Sequence, residues 1–319
     1  LHLDLSLENE VPDVQIRANL DNVSVSSWHG APASRQINGY VEVNNGSGLV
    51  ELDSPNGFAM HYPQIFDQYM EHSAIRGQVK WHWNAENHAV TVTSGPLELG
   101  GEEGQGTAYL YLDIPLGQPD NKPEMYLSLG VRNTHSRYRP RYLPNNLSSG
   151  LLDWLDQSMG DISIPELGFV WRGSLSRGQA NLHSLQLYLN TTNGDLRFHP
   201  DWPALEKMDA LVTLDDSELD GEIKTAALGK TLVKHGDVLV RPAPKKGLEL
   251  LINGVVTADV GDAVGVLAES PLKSRVKGLS GWQLSGGSQI NFDLTIPLSA
   301  GAVGGSYIVD TNLSQARIA

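Results

Sequence analysis

The 319-residue chain contains no cysteine. That absence excludes disulfides, zinc–thiolate centres and thiol nucleophiles. No apolar run approaches the roughly 18 to 20 residues that a membrane-spanning helix needs. Basic residues are scarce beside acidic ones, 23 against 37, and the formal net charge is −14. Like charge disfavours nucleic acid and anionic headgroup surfaces as partners. The usual catalytic signatures are missing too: there is no G-x-S-x-G elbow, H-E-x-x-H, P-loop or G-x-G-x-x-G. The chain opens on Leu1 rather than Met and shows no leader. The expectation is a soluble stretch of a longer protein, with any membrane anchor outside it.

What the sequence has in quantity is alternation with period two. In Val14-Gln15-Ile16-Arg17-Ala18-Asn19-Leu20 every second residue is apolar. Ala108, Leu110, Leu112 and Ile114 alternate with Tyr109, Tyr111 and Asp113. The pattern returns in Met125, Leu127, Leu129 and Val131, in Leu185, Leu187 and Leu189, and in Ile290, Phe292, Leu294 and Ile296. Successive strand side chains point to opposite faces, so each strand has one apolar and one polar face. Antiparallel sheets read this way, whereas buried parallel strands are apolar throughout. Turn signals separate the strands, among them Asn44 to Gly48, Gly100-Gly101, Thr192 to Asp195 and Ser285 to Gly287.

Helical spacing is confined to short stretches. Leu151, Leu152, Leu155 and Met159 predict a helix over 147–159, with Ser148 or Ser149 as N-cap and Gly160 at its end. A second is predicted over 260–269, and 63–69 reads as one turn or two. Leu110 to Leu116 resembles Phe292 to Leu298, 182 residues later, each an alternating strand ending in Ile-Pro-Leu. Proline lacks an amide donor and suits a strand end. Chance similarity and two copies of one β unit both account for this; a boundary falls near residues 140 to 160.

One-sided strands must cover their apolar faces. A second sheet does this in a sandwich, and helices are too few to do it here. The third solution leaves the face open as a groove filled by acyl chains. Periodicity does not separate these solutions. The search for chemistry yields little. His82 shares a strand face with Lys80 and reads as an exposed strand histidine rather than a metal ligand. Asp216 to Gly221 has the look of a calcium loop, but Ala227 stands where an EF-hand needs Glu; it reads as a solvated turn. Trp154, Trp171, Trp202 and Trp282 read as core or sheet-edge packing. Arg132, Arg137, Arg139 and Arg141 form a basic cluster. Arginine forks bind phosphate, which makes Arg137, Arg139 and Arg141 candidates for a headgroup contact; a solvated loop offsetting nearby acids is the plainer reading.

An ordered set of short motifs resembles the YhdP family. Arg141-Tyr142-Leu143-Pro144 followed by Leu151-Leu152-Asp153-Trp154-Leu155 is similar to its "YLP" before a "WL" helix. Trp171 to Leu175 is similar to its "rGpL", Leu196 to Leu205 to "l.f.pdWP.l", Glu269-Ser270-Pro271-Leu272 to "eSPL", and Leu294 to Leu298 to "L.iPL". The matches run in order from about residue 140 to 300. Arg177 to Asn181 departs from the "fPf" of many members. The resemblance implies a long protein with an inner-membrane anchor and a large periplasmic part. It also implies the AsmA-like group, with TamB and eukaryotic bridge-like lipid transfer proteins, built of repeating β-groove units that move phospholipids between two membranes and affect outer-membrane integrity.

The expectation is therefore a mainly β protein whose curved antiparallel sheets form an elongated apolar groove, with a few short helices and with units over 1–145 and 146–319. The predicted groove lining is Leu110, Leu112, Ile114, Leu127, Leu129, Leu185, Leu187, Leu189, Ile290, Phe292, Leu294 and Ile296. Phospholipids are the expected partners, and the two membranes are reached through parts outside this chain. No enzyme activity, cofactor, metal or nucleic acid is expected. The alternative is a structural β-sandwich module of the bacterial envelope.

Overall fold

The structure, a computed structural model, describes residues 2–6, 13–27, 32–63, 65–117, 122–145, 147–174, 183–198, 200–243, 247–270, 272–279, 281–298 and 305–318. The strands of the first part are β1 His2–Ser6, β2 Asp13–Val25, β3 Ala33–Asn44, β4 Ser47–Ser54, β5 Phe58–His61, β6 Met70–His72, β7 Ala74–Asn84, β8 Ala89–Ser94, β9 Leu97–Gly101, β10 Gly104–Pro115 and β11 Glu124–His135. A 3-10 helix, Ser136–Arg141, and α1, Ser149–Ser158, follow. Then come β12 Ser163–Ser174, β13 His183–Leu196, β14 Leu205–Asp215, β15 Glu218–Leu228, β16 Thr231–Pro242 and β17 Leu248–Asp259. Helices α2, Val260–Ala268, and α3, Lys273–Val276, precede β18 Leu284–Ser285, β19 Gly287–Pro297, β20 Ser306–Thr311 and β21 Arg317–Ile318. The fold is mainly β and antiparallel with a few short helices, as the alternation predicts.

Two compact units divide the chain. The first takes residues 1–134, 138–147 and 167–186; the second takes 135–137, 148–166 and 187–319. In the first, β2, β3, β4 and β7 pair in succession, β7 pairs with both β8 and β9, and these pair with β10, which pairs with β11. In the second, β14, β15, β16, β17, β19 and β20 pair in succession. Local chemistry sets the hairpins. Asn45 and Gly46 turn β3 into β4 with φ of 48° and 99°, the two positive values that a two-residue hairpin turn matching the strand twist requires.

The helices lie where the caps put them. The Ser148 hydroxyl accepts from the Leu151 amide at 3.3 Å and the Asp259 carboxylate from Gly261 at 2.9 Å, each satisfying a donor that the first turn leaves open. At the start of 63–69 the Ile65 and Phe66 amides both donate to the Tyr62 carbonyl, a turn. The 3-10 helix at Ser136 and α3 have no periodic apolar stripe long enough to announce them.

The two units share details of pairing. Leu110 stands opposite Leu127 in β10–β11, and Phe292 opposite Val309 in β19–β20, both partners 182 residues further on (110 to 292, 127 to 309). After each Ile-Pro, the leucine amide bonds at the end of the neighbouring strand: Leu116 to the carbonyl of His88, just before β8, at 2.7 Å and Leu298 to that of Leu248, the first residue of β17, at 2.8 Å. A bulge recurs too. Asn22 and Asn193 both have φ of 48°, a conformation that asparagine tolerates better than most residues. Their amides donate to Asn38 Oδ1 at 2.8 Å and Asp209 Oδ1 at 2.9 Å. The units differ in what interrupts them: β5 and β6 in the first, α2 and α3 in the second.

Each unit also seats an aromatic ring over a glycine of a neighbouring strand. A Cβ at Gly48 would lie 1.9 Å from Cζ2 of Trp81, and one at Gly254 would lie 2.8 Å from Cζ of Phe292. The missing side chains are what let the rings lie along the sheet. Gly48→Ala is expected to cost about 1–3 kcal/mol in urea unfolding. Adding Trp81→Leu to it should recover part of that loss; a midpoint unchanged by Gly48→Ala would contradict this packing.

Candidate functional site

Directly opposed residues of antiparallel strands share a face, so the register converts scattered apolar positions into rows. In the first unit one row runs Ile16, Val43, Gly48, Trp81, Val92, Leu112 and Met125 across seven strands. Beside it run Ala18, Val41, Val50, Val79 and Ser94, then Leu110 and Leu127, the Leu110 amide donating to Ser94 Oγ at 2.8 Å. Leu97, Ala108 and Leu129 lie on the same face, as do Trp83, Val90 and Ile114. The reverse face is polar: Arg17, Glu42, Leu49, Lys80, Thr93, Tyr111 and Tyr126 form one row. Arg17 and Glu42 pair at 3.1 Å and Arg76 and Asp53 at 3.3 Å. His82 lies on this polar face, Nδ1 against Ser47 Oγ at 2.8 Å.

The second unit repeats the division. Leu214, Leu219, Val240, Leu250 and Ile296 form one apolar row; Val212, Gly221, Val238, Ile252, Leu294 and Tyr307 form the next. Ala210, Ile223, Gly236, Gly254, Phe292 and Val309 follow, then Ala226, Val233, Val256 and Ile290. The reverse face carries Glu222, Asp237, Asn253 and Asp293. Asp216 and Ser217 are the tight turn between β14 and β15, with Asp216 at φ 53°.

The structure thus brings nine of the twelve predicted lining residues onto two faces, five in the first unit (Leu110, Leu112, Ile114, Leu127, Leu129) and four in the second (Ile290, Phe292, Leu294, Ile296). Leu185, Leu187 and Leu189 share a face of β13 by alternation, and the unit division falls between Gln186 and Leu187; neither set of rows is traced through them. All twelve are half-buried. In a filled sandwich such side chains would be inaccessible. Sequence reasoning missed Trp81, Val92, Ile252 and Val238 as members of the rows. Their alternation was visible, but strand partners were not.

Among the described residues, one end of each face is closed. In the first unit Ile37, Phe58 and Ile75 are buried, with Leu52, Met60 and Leu99 packed around them. In the second, Met208, Val233, Val256 and Ala258 are buried together with Ala263 of α2. Trp154, on α1, and Trp282 are exposed, so of the core or sheet-edge packing expected of them neither takes the core position. Trp171 stacks on His183 at 4.4 Å, and Trp202 lies 6.0 Å from Phe198.

The arginines divide between the units: Arg137 belongs to the second, Arg139 and Arg141 to the first. Arg141 is engaged within its unit, where its Nη1 donates to Glu103 Oε1. Glu103 is buried at 8% exposure, and its Oε2 has no hydrogen-bond partner. Burial pushes the Glu103 carboxyl above its ordinary pKa of 4.5, while the Arg141 guanidinium pulls it down. Next to them the Asn145 amide bonds the Ile65 carbonyl at 2.7 Å, and its Nδ2 bonds Asp67 at 3.0 Å. Tyr142-Leu143-Pro144 is thereby anchored at both sides.

Antiparallel sheets with one apolar face per unit define the class, a mainly β protein with few short helices. Among the described residues no group of three His, Cys, Asp or Glu side chains is placed to hold a metal, and no helix is long and apolar enough to cross a membrane. The chain belongs to the YhdP family: the family model described as YhdP protein matches residues 1–318. The intermembrane phospholipid transporter YhdP of Escherichia coli (strain K12) is 22% identical over 305 residues, which are 94% of this chain and 23% of that protein. The chain therefore spans about a quarter of this relative's length. No solved structure matches it.

The Glu103 carboxyl yields a pH prediction. Between its ordinary and its raised pKa the native state binds more protons than the unfolded chain, so its contribution is fully present below the ordinary value and is lost as pH rises through the raised one. Urea midpoints of the parent and Glu103→Gln, measured from about pH 4.5 to about pH 7, should show a steeper decline with pH in the parent. Parallel profiles would mean that Glu103 does not titrate in this window.

Proposed function

We propose that this chain is a segment of a lipid-transport bridge, carrying phospholipid acyl chains along the apolar sheet faces while headgroups stay in water. The observation that carries the proposal is the set of cross-strand apolar rows in each unit, mostly half-buried and, away from the closed end, without a covering layer among the described residues. Each methylene that leaves water for such a face gains roughly 0.8 kcal/mol, so an acyl chain covers what the protein leaves open. The polar reverse face keeps the sheet wetted on its other side. Membership of the YhdP family and a relative named an intermembrane phospholipid transporter support the same reading.

In this proposal residues 1–145 and 146–319 are two copies of one β-groove unit, supported by the shared registers and the recurring positive-φ asparagine. The twelve residues from Leu110 to Ile296 named above are among the lining. Arg137, Arg139 and Arg141 are headgroup contacts at its rim, with Arg141 held in place by Glu103. The segment works in the periplasm between inner and outer membranes, supports outer-membrane integrity, and is tethered by an inner-membrane anchor outside this chain. It catalyses no reaction: the faces offer dispersion contacts and no reactive group.

Gently purified protein should yield roughly stoichiometric phospholipid by extraction and mass spectrometry, above an equally acidic β-protein control. Leu112→Glu and Leu294→Glu place a charge in the middle of each face, where an unpaired carboxylate repels hydrocarbon. Each should reduce the lipid several-fold with the circular dichroism retained, and Tyr111→Glu, on the reverse face, should not. Lipid at control level in the parent, or unchanged in folded Leu112→Glu and Leu294→Glu, would overturn the proposal.

A further inference from the structure

The polar reverse face of the first unit carries three tyrosines on two adjacent strands. Tyr109 and Tyr111 of β10 and Tyr126 of β11 are 47%, 42% and 41% exposed. Same-face neighbours along a strand lie about 6.8 Å apart. Tyr111 stands directly opposite Tyr126 in the ladder, where facing Cβ atoms lie about 5 Å apart. The three rings are therefore neighbours on one stretch of sheet. Among the described residues none of them stacks on another ring or on a cation, and none of their hydroxyls is hydrogen-bonded.

Sheet stability alone does not account for these rings. A step of 182 residues keeps the apolar partners of the two strands, Leu110 with Leu127 becoming Phe292 with Val309. On the reverse face the same step replaces Tyr109 by Asn291, Tyr111 by Asp293 and Tyr126 by Ile308. Asp293 stands opposite Ile308 as Tyr111 does opposite Tyr126, so the second unit builds the same ladder without tyrosine. The surroundings say what the rings can meet. Ser128 is opposite Tyr109, and Thr93 on β8 is opposite Tyr111. The next row on one side holds Thr107 and Glu98; on the other it holds Asp113 between Thr91 and Glu124. Cations of this face stand further off: Lys80 two strands from Tyr111, Arg76 two strands from Thr107 and paired to Asp53, and Arg132 two rows from Tyr109. Stacking platforms for nucleic acid set their rings in a cationic groove, and an anionic membrane surface also calls for lysine and arginine. Carboxylates beside the rings oppose both. A protein interface buries its aromatic anchors away from charge, whereas these rings have hydroxyls and carboxylates beside them.

We propose that this patch binds a neutral polysaccharide, with Tyr109, Tyr111 and Tyr126 stacked on the C–H faces of its sugar rings. A pyranose has an apolar C–H face and a rim of hydroxyls. The face takes an exposed aromatic ring out of water. The rim hydroxyls donate to the carboxylates of Asp113, Glu124 and Glu98 and exchange hydrogen bonds with the Ser128, Thr93 and Thr107 hydroxyls. Strands hold the rings at a fixed spacing, which a site on loops would not. The patch lies on the face opposite the apolar rows, and it does not depend on what those rows carry. A chain held to a glycan by this side keeps its apolar face free.

The experiment is calorimetric titration of the whole chain with chitohexaose and cellohexaose as neutral probes and hexagalacturonate as an anionic one. A neutral hexamer should bind saturably, and rising salt should change its affinity little, because the ligand is uncharged. Tyr111→Ala/Tyr126→Ala should weaken binding roughly tenfold with the circular dichroism retained. Tyr111→Phe/Tyr126→Phe, which keeps the rings, should stay close to the parent. Hexagalacturonate should bind far more weakly. No saturable binding of either neutral hexamer, equal binding by the folded alanine variant, a loss in the phenylalanine variant as large as in the alanine one, or hexagalacturonate binding as tightly would each overturn the site. Self-association of the parent that the alanine variant abolishes would make the patch a protein interface and overturn it too. Lipid extracted from the same samples reports on the apolar face alone, so the two proposals fail separately.

Discussion

The constraint on which the rest depends is a sheet that has one apolar face and, among the described residues, no second layer over most of its width. Burying apolar surface is the dominant favourable term in folding, yet the rows through Leu112 and Leu294 are only half-buried. The strands are held by their ladders, by packing between neighbours in a row, and by a cluster at one end of each unit. The price of leaving so much apolar surface accessible is that something must cover it. Contiguous exposed apolar surface on a soluble chain marks a binding region, and here the covering partner proposed is hydrocarbon.

The ends of the faces show two solutions to one problem. In the first unit β5 and β6 interrupt the meander, bringing Phe58 and Met60 against Ile37 and Ile75. In the second, α2 supplies Ala263 against Val233 and Val256. Both insertions close one end, and both leave the Ile-Pro-Leu end of β10 or β19 beyond that cover. Glycine plays a related part where Trp81 and Phe292 lie over Gly48 and Gly254, since a bulky ring on a flat face needs an empty neighbour. The buried Glu103, paired to Arg141, ties the 3-10 helix to the β9–β10 turn, so an arginine that reads as a surface charge has a structural partner as well.

Transport and tight binding make opposite demands. A deep pocket would hold a lipid at one place, whereas a row of interchangeable valines, leucines and isoleucines offers many shallow positions of similar affinity. The proposed faces have that character.

Alternation by itself determined the strand class, the two faces of each strand and the membership of Leu110, Leu112, Ile114, Ile290, Phe292, Leu294 and Ile296 in the apolar one, because period two is a local property of the backbone. Local caps likewise placed α1 at Ser148 and α2 at Asp259, and Asn45-Gly46 its hairpin. Only the tertiary structure decided which strands are neighbours, and hence that Trp81, Val92, Leu112 and Met125 form one row. It also decided that no second layer covers those rows among the described residues, that Arg141 is paired with a buried Glu103, and that Tyr109, Tyr111 and Tyr126 lie together on the reverse face. Those facts depend on residues distant in sequence meeting in space, where register and the angle between elements are set by the whole chain.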